Sequence, residues 1–331
     1  IDLETGLLEA GDPADKISFS VRADYDETIP RPLRWLQFLD EIFDGQADVI
    51  EFVQRYCGYC LTGETREQAL VIFHGRGANG KSTFLNTLQW LLGDYAHNMP
   101  FSAVEMKQRA SIPSDLAALD GRRFVTASET NDGTRLNEAR IKALTGSDPI
   151  TARFLHSEFF TFQPVAKFIL AVNHKPTIAD DSQGFWRRLK LVPFTRCFLG
   201  SVRDDQLDSK LRAEGSGILR WLVEGCLAWR ASGLTNPLSI SAATDEYKQD
   251  SDPLSEFIEQ LCDFEPGGPG TYANAMQEAY NKWAERSGIS KGERLNRKDF
   301  ANRLADRFER KKTKYGWLYP GLKLQTNEMF R

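Results

Sequence analysis

The chain is predicted to fold as an α/β protein on a mainly parallel sheet, with a helical piece before it and a helical, winged-helix-like region after it. Three observations carry this expectation. Ala69–His74 is a β-prone apolar run, the glycine-rich turn Gly75–Gly80 follows it, and Lys81–Leu92 then places Phe84, Leu85, Leu88, Leu91 and Leu92 at helical spacing. From residue 69 to about 198, further apolar runs of strand length (Arg123–Ala127, Phe159–Phe162, Lys167–Val172 and Leu189–Phe194) alternate with helical patterns, as βαβ units do. Outside those bounds most apolar spacing is helical.

Residues 1–30 are polar, and their one alternating run, Lys16–Arg22, predicts a peripheral strand. Arg31-Pro32 breaks the chain. Leu33–Leu61 then reads as two amphipathic helices, the first lined by Trp35, Leu36, Leu39, Ile42 and Phe43, the second by Val49, Ile50, Phe52, Val53 and Tyr56. Leu61-Thr-Gly63 closes this piece. Beyond the sheet, residues 204–250 turn helical, with Ile218, Leu219, Leu222 and Val223 at core spacing. Asp252-Pro253 marks a boundary and Pro266-Gly-Gly-Pro-Gly270 a loop. Helices over 273–286 and 297–311, then an aromatic strand at Tyr315–Tyr319, are compatible with a winged-helix module. The expected divisions are therefore 1–65, 66–200, 201–251 and 252–331.

A length of 331 residues suggests about two domains, and 41% hydrophobic with 27% charged residues is an ordinary globular composition. No apolar run approaches the roughly 18 residues of a membrane span. The first twenty residues hold five acids (Asp2, Glu4, Glu9, Asp12, Asp15) and no apolar signal core, so a soluble, cytoplasmic protein is expected. The chain opens at Ile1 and not at a methionine, as a piece of something longer would. Five scattered cysteines argue for reduced thiols. Cys57-Gly-Tyr-Cys60 has the spacing of a redox or zinc pair, but without a second pair a packed helix end is the better reading. The four histidines show no metal-binding spacing. Net charge is −4, unevenly spread: between Lys282 and Lys314 twelve basic residues face five acidic ones, a net of +7 against −11 for the remainder. That segment is either a footprint for a polyanion or a solvated helix face.

The turn fits the phosphate-binding pattern G-x-x-x-x-G-K-[ST], with Gly75, Gly80, Lys81 and Ser82 in the fixed positions. Its flanks, a strand before and a helix after, are those the pattern requires. Backbone N–H groups of Gly75, Arg76, Gly77, Ala78, Asn79, Gly80, Lys81, Ser82 and Thr83 are expected to line a nucleoside triphosphate, with the helix N-terminus adding partial positive charge. Lys81 would neutralise the β/γ-phosphates and the Ser82 hydroxyl would ligate Mg²⁺. A Cβ at Gly75, Gly77 or Gly80 is expected to crowd the phosphates or to forbid a positive φ.

Three later strand ends bear on catalysis. Arg123-Phe-Val-Thr-Ala-Ser-Glu129 is a second apolar strand, expected beside the first, that ends in a carboxylate; Glu129 is the candidate general base and metal ligand, the alternative being a solvent-exposed strand-end acid. Ser128 stands where such motifs usually carry Asp. Lys167-Phe-Ile-Leu-Ala-Val-Asn173 ends in an amide able to bond both phosphate and attacking water, unless Asn173-His-Lys-Pro176 is simply a turn. Gly184-Phe-Trp-Arg-Arg-Leu189 supplies Arg187 and Arg188, either fingers for a neighbour's phosphate or surface ion-pair partners. Ile150–Leu155 and Phe159–Phe162, around His156-Ser-Glu158, read as a hairpin that either packs or reaches a ligand.

In this order, Lys81, Glu129, Asn173 and the Arg187-Arg188 pair resemble the superfamily 3 helicases, more closely the phage and plasmid primase–helicase family that includes the poxvirus primase-helicase. The resemblance runs from the N-terminal helical piece through Gly75–Ser82, Arg122–Thr130, Thr145-Gly-Ser-Asp148, Phe168–Pro176 and Gly184–Phe194 to Gly217–Trp221 and Asp252-Pro253. Ser128-Glu129 matches that family's own form. The resemblance implies a P-loop AAA+ type ATPase core at 66–200 behind a collar-like domain at 1–65, with ATP and Mg²⁺ as cofactors. It also implies a ring, usually a hexamer, with ATP between subunits and single-stranded or forked DNA in the channel, moving 3′→5′. The hairpin would track the DNA backbone, making Arg153 and His156, with Lys142 upstream of the hairpin, the DNA-contact candidates. A primase or primase-polymerase domain upstream, and a bacterial or virus-infected cytoplasm, are further implications. A DNA-remodelling ATPase of replication origins without processive unwinding is the alternative, and an unrelated small-molecule kinase a more distant one.

Overall fold

The computed structural model describes residues 1–26, 28–106, 114–129, 134–200, 203–289 and 294–325; Thr130, Lys291 and Glu293, on which the readings above drew, lie outside them. The chain divides into two compact units, Ile1–Tyr247 and Lys248–Arg331. In chain order the first holds α1 (Leu33–Ile42), α2 (Ala47–Tyr59), β1 (Leu70–His74), α3 (Lys81–Leu92), β2 (Ala96–Asn98), α4 (Ser114–Ala117), β3 (Phe124–Ser128) and α5 (Glu138–Leu144). It continues with β4 (Ile150–Ala152), β5 (Phe160–Phe162), β6 (Lys167–Val172), α6 (Gln183–Trp186), β7 (Leu189–Pro193), α7 (Leu207–Ala213) and α8 (Gly215–Ser232), and α9 (Leu238–Asp250) follows.

A five-stranded sheet in the order β2-β3-β6-β1-β7, parallel throughout, organises this unit. Strand alternation sorts its side chains onto two cores. Val71, Phe73, Ile169, Ala171, Val192 and Phe194 face a layer made by α1, α2, α3 and α8. Leu70, Ile72, Phe168, Leu170, Leu189 and Leu191 face the other, which holds Ile141, Phe185, Trp186 and Tyr247. β6 is buried at all six positions and takes the middle of the sheet.

The helical piece before the sheet and the one after it form a single layer. α2 and α8 cross so closely that a Cβ on Gly58 would lie 2.1 Å from Cys226 N, and one on Gly225 2.3 Å from Gln54 O. The carboxylate of Glu214, just before α8, accepts from Arg34 N (2.9 Å) and Trp35 N (2.8 Å), capping α1 from a distant point in the chain. Residues 1–65, 66–200 and 201–247 thus share one body. Cys57 and Cys60 are buried free thiols in this layer, which makes the Cys-x-x-Cys spacing a packed helix end. The peripheral strand expected at Lys16–Arg22 is absent. That segment has single backbone contacts, Arg22 N to Leu91 O at 2.8 Å among them, and no partner strand; Ile17 is 72% exposed, so its alternation has no core to face.

The second unit comprises α10 (Pro253–Leu261), β8 (Cys262–Phe264), β9 (Thr271–Tyr272), α11 (Ala273–Arg286), α12 (Arg297–Arg307), β10 (Lys311–Thr313), β11 (Gly316–Tyr319) and β12 (Leu322–Leu324). Phe257, Tyr280, Trp283, Phe300 and Tyr319 build its core. β10, β11 and β9 form an antiparallel sheet, and β12 pairs with β8. The second tail helix stops at Arg307 and not at 311, because Phe308 is extended. No helix among the described residues is long and apolar enough to cross a membrane.

The α2–α8 crossing gives the first prediction. A Cβ at Gly225 meets backbone that cannot swing aside, so Gly225→Ala should destabilise the first unit by about 1–3 kcal/mol. A urea titration monitoring that unit would show a lowered midpoint; an unchanged midpoint would contradict the close crossing.

Candidate functional site

β1 ends at His74 and the turn carries the chain into α3. Gly75 N donates to Val172 O at 3.3 Å, and a Cβ there would lie 2.3 Å from Phe194 O and 2.7 Å from Asn79 Nδ2. Gly80 has φ +90° at the N-cap of α3, where a Cβ would meet Ile42 Cγ2 at 2.5 Å. These two glycines are required by the protein's own backbone. Gly77 is not: a Cβ there meets nothing within 4 Å, and the left-handed conformation expected of it falls on Ala78 at φ 59°. Arg76, Gly77 and Ala78 form the exposed crest of the turn, and Ser82 is exposed on the first helical turn with Thr83 beside it.

Lys81 is only 5% exposed. Its ammonium donates to Gly75 O, to Asn79 Oδ1 (3.2 Å) and to Asn173 Oδ1 (3.3 Å). All three partners are neutral, and burial lowers its pKa to about 8. Asn79, 3% exposed, leaves its Nδ2 buried without a hydrogen-bond partner. A desolvated cation and an unused amide donor therefore stand together at a helix N-terminus, which is a site prepared for an anion. Burial, followed by the charges of Lys175 and Lys81, also holds His74 below its usual pKa.

Asn173 and Glu129 reach the same edge of the sheet, since both follow the C-terminal ends of parallel strands. Their order differs from expectation. β3 does not lie beside β1: β6 is inserted between them, paired with β1 on one edge and β3 on the other. The strand buried at every position occupies the centre, so the amide is next to the turn and the carboxylate one strand further out. Glu129 N donates to Ala171 O at 2.9 Å, and Thr134 Oγ1 donates to Glu129 Oε1. Thr177 N in turn donates to Thr134 O at 2.8 Å, linking the segments beyond β3 and β6. Thr134 carries no local sequence signal and was missed for that reason.

Arg187 and Arg188 lie on the opposite edge. Arg188 O accepts from Leu70 N at 2.8 Å, so the pair sits where β1 begins, whereas the glycine-rich turn follows its end. A five-residue strand separates the two by roughly 13 Å at about 3.3 Å per residue. Arg187 is exposed and donates to Gln68; Arg188 donates to Gly184 O and leaves Nε buried without a partner. Burial, then the like charge of Arg187, lowers the pKa of Arg188. Neither guanidinium serves the turn of its own chain.

β4 and β5 pair antiparallel from Ile150↔Phe162 to Ala152↔Phe160, forming the expected hairpin. Its tip exposes apolar side chains beside Arg153 and His156. Phe154 (49%), Leu155 (63%) and Phe159 (59%) are exposed, and the Arg153 guanidinium lies 4.6 Å from the Phe159 ring centroid. His156 turns the tip at φ 61°. Lys142 is not on the hairpin: it belongs to α5, where its Nζ lies 2.5 Å from Asp180 Oδ2 and 3.0 Å from Ser182 Oγ.

A cleft of about 680 Å³ adjoins the turn at Ala78 and Gly80, between Phe38 of α1, Thr83 of α3 and Phe198. The segment after β7 closes over the turn here, with Phe198 N donating to Ala78 O at 2.7 Å. Nothing in the local pattern around Phe198 announced this.

Comparison with known proteins agrees with the family resemblance. The model of a family of unknown function, DUF5906, matches residues 73–188. The chain is 29% identical over 285 residues to "Putative helicase L207/L206" of Acanthamoeba polyphaga mimivirus, covering 78% of this chain and 29% of that protein. It is 28% identical over 148 residues to "Putative primase C962R" of African swine fever virus (isolate Warthog/Namibia/Wart80/1980), covering 44% of this chain and 15% of that protein. The chain therefore spans less than a third of the relatives it matches. Among solved structures, the apo A form of the NrS-1 C-terminal region aligns at a TM-score of 0.55 and 12% identity, over 85% of this chain and 62% of that one, a likeness of fold. The chain is thus similar to proteins of large DNA viruses named "Putative helicase" and "Putative primase", in line with the resemblance.

The desolvated Lys81 sets a pH dependence. An anion in the turn favours the ammonium form, so above the free value of about 8 binding must take up a proton. Affinity for inorganic pyrophosphate should hold below that pH and weaken above it, approaching about tenfold per pH unit. Calorimetric titrations from neutral to alkaline pH that show constant affinity would contradict this environment for Lys81.

Proposed function

We propose that this relative of the viral helicases and primases is the motor of an ATP-dependent replicative DNA helicase, with a P-loop AAA+ type core, working as a homo-oligomeric ring on single-stranded or forked DNA. The observation that supports this reading most is the division of the sheet's two edges. Lys81, Asn173 and Glu129 gather on one edge, and the Arg187-Arg188 pair stands on the other. Such a chain would complete its hydrolytic centre only with a second copy, whose arginines face the first copy's turn.

In that arrangement Lys81 and the N–H groups of the turn bind the triphosphate, and Asn79 Nδ2 gains the acceptor it lacks. Glu129, steadied by Thr134, takes the proton of the attacking water, while Asn173 orients that water without adding charge. Mg²⁺ fits the donor set. Among the described residues no group of three or more His, Cys, Asp or Glu could hold a metal, so the ion would share the Ser82 hydroxyl and Glu129 carboxylate with phosphate oxygens and water. The cleft beside Phe198 would receive base and ribose.

Arg153, His156 and the exposed rings of the hairpin suit a flexible single strand, giving phosphate contacts and stacking faces together. Opening one base-pair step costs roughly 1–2 kcal/mol, within reach of one nucleotide turnover. The family resemblance supports the 3′→5′ direction and a hexamer. The primase name of the African swine fever virus relative supports work alongside a priming activity in an infected cell.

Two measurements test this. Doping wild-type rings with the Arg187→Ala/Arg188→Ala double variant should depress ATPase activity more steeply than the fraction added, because each variant also disables a neighbour; strictly proportional loss counts against shared sites. His156→Ala should keep most DNA-independent ATPase while strand displacement falls several-fold, with Lys81→Ala inactive in both assays. Unimpaired displacement by His156→Ala would remove the hairpin from the mechanism.

A further inference from the structure

We propose that the C-terminal unit carries a single-stranded nucleic-acid binding surface of its own, formed by Tyr272, Tyr315 and Trp317 among the basic residues of α12 and β10. It goes beyond the motor reading, since none of these residues belongs to the ATPase unit. The unit has five aromatic residues for its core, yet leaves these three outside it: Tyr315 is 70% exposed, Trp317 41% and Tyr272 37%. They line one cleft of about 210 Å³ together with Arg297 and Gln277. The Tyr272 and Tyr315 rings meet edge to face at 6.4 Å.

The charges around this cleft complete the chemistry. Arg310 lies 4.5 Å from the Trp317 ring centroid and Lys314 4.8 Å from that of Tyr315. Lys311 and Lys312 are exposed on β10, paired with Leu318 and Trp317 of β11. Other cations of the basic segment have internal duties, Arg303 with Asp252 at 3.5 Å and Arg294 with Glu285 at 3.8 Å. Gln277 uses its amide nitrogen on Asn281 at 3.3 Å, while its Oε1 is buried without a hydrogen-bond partner. Aromatic faces, clustered cations and an unused acceptor match one class of ligand: a polyanion with planar, donor-bearing bases. Those faces must be unstacked to be reached, which selects a single strand over a duplex. An acidic protein would use the cations and leave the rings idle.

The test uses the whole chain without nucleotide, in an Arg153→Ala/His156→Ala background so that the hairpin contributes little. Binding of a labelled oligothymidylate is followed by fluorescence anisotropy. Tyr315→Ala/Trp317→Ala should weaken it by roughly 5- to 100-fold. Lys311→Glu/Lys312→Glu, changes at exposed positions that do not touch the core, should weaken it and flatten its salt dependence. DNA-independent ATPase should stay unchanged in both. Wild-type affinity in both variants, or tighter binding of a duplex of the same length, would overturn the assignment. Loss of binding in a protein without ATPase activity would leave this surface standing and refute the motor instead.

Discussion

Parallel pairing of β1 with β6 on one side and β7 on the other is the constraint from which the rest follows. A parallel strand brings its C-terminal end to the same edge as its neighbours, so the turn after His74, Asn173 after β6 and Glu129 after β3 converge without being near in sequence. The same geometry sends whatever precedes β7 to the far edge, and Arg187 and Arg188 stand there. A single chain thus holds the Lys81, Asn173 and Glu129 group and the arginine pair on opposite edges of its sheet. The separation follows from hydrogen-bond direction, and short of repairing the sheet no side-chain rearrangement can remove it.

The second determinant is dielectric. Lys81 is buried among carbonyl and amide oxygens with no carboxylate in contact among the described residues, an arrangement that costs stability in the absence of an anion. A carboxylate at position 173 would neutralise it; the amide holds the ammonium in place without cancelling its charge. Gly75 and Gly80 permit the turn to lie against Phe194 and Ile42, so the helical layer contributes to the shape of the anion site from behind. Packing of α1, capped by Glu214, is in this way connected to the shape of the turn that holds Lys81.

Much of this was legible in the sequence because it depends on local period and glycine placement. The strand at 69–74 and the three later sheet strands show as short, nearly continuous apolar runs, as strands covered on both faces do, while the helix at 81–92 and the paired helices at Leu33–Leu61 show a period of 3.6 that their burial matches. Strand order was not legible: β3 and β6 have the same apolar character, and only burial of all six β6 positions puts it in the centre. Helix α10 was overlooked although Asp252 caps it and Pro253 opens it, a signal of the usual kind read only as a boundary. The Lys16–Arg22 alternation misled because a period of 2 predicts a strand only where a partner edge exists. Thr134 and Phe198 come to the site through tertiary contacts, with no trace in their own neighbourhoods.

The claim at the centre is that hydrolysis takes place between copies of this chain while the hairpin holds DNA. Electron microscopy of particles assembled with a non-hydrolysable ATP analogue and a single-stranded oligonucleotide tests it most directly. The account predicts closed rings in which Arg187 or Arg188 of one copy reaches the terminal phosphate bound at Lys81 of the next, with Arg153 and His156 lining an occupied channel. Isolated monomers with a complete site built from one chain, or rings whose strand passes elsewhere, would contradict it.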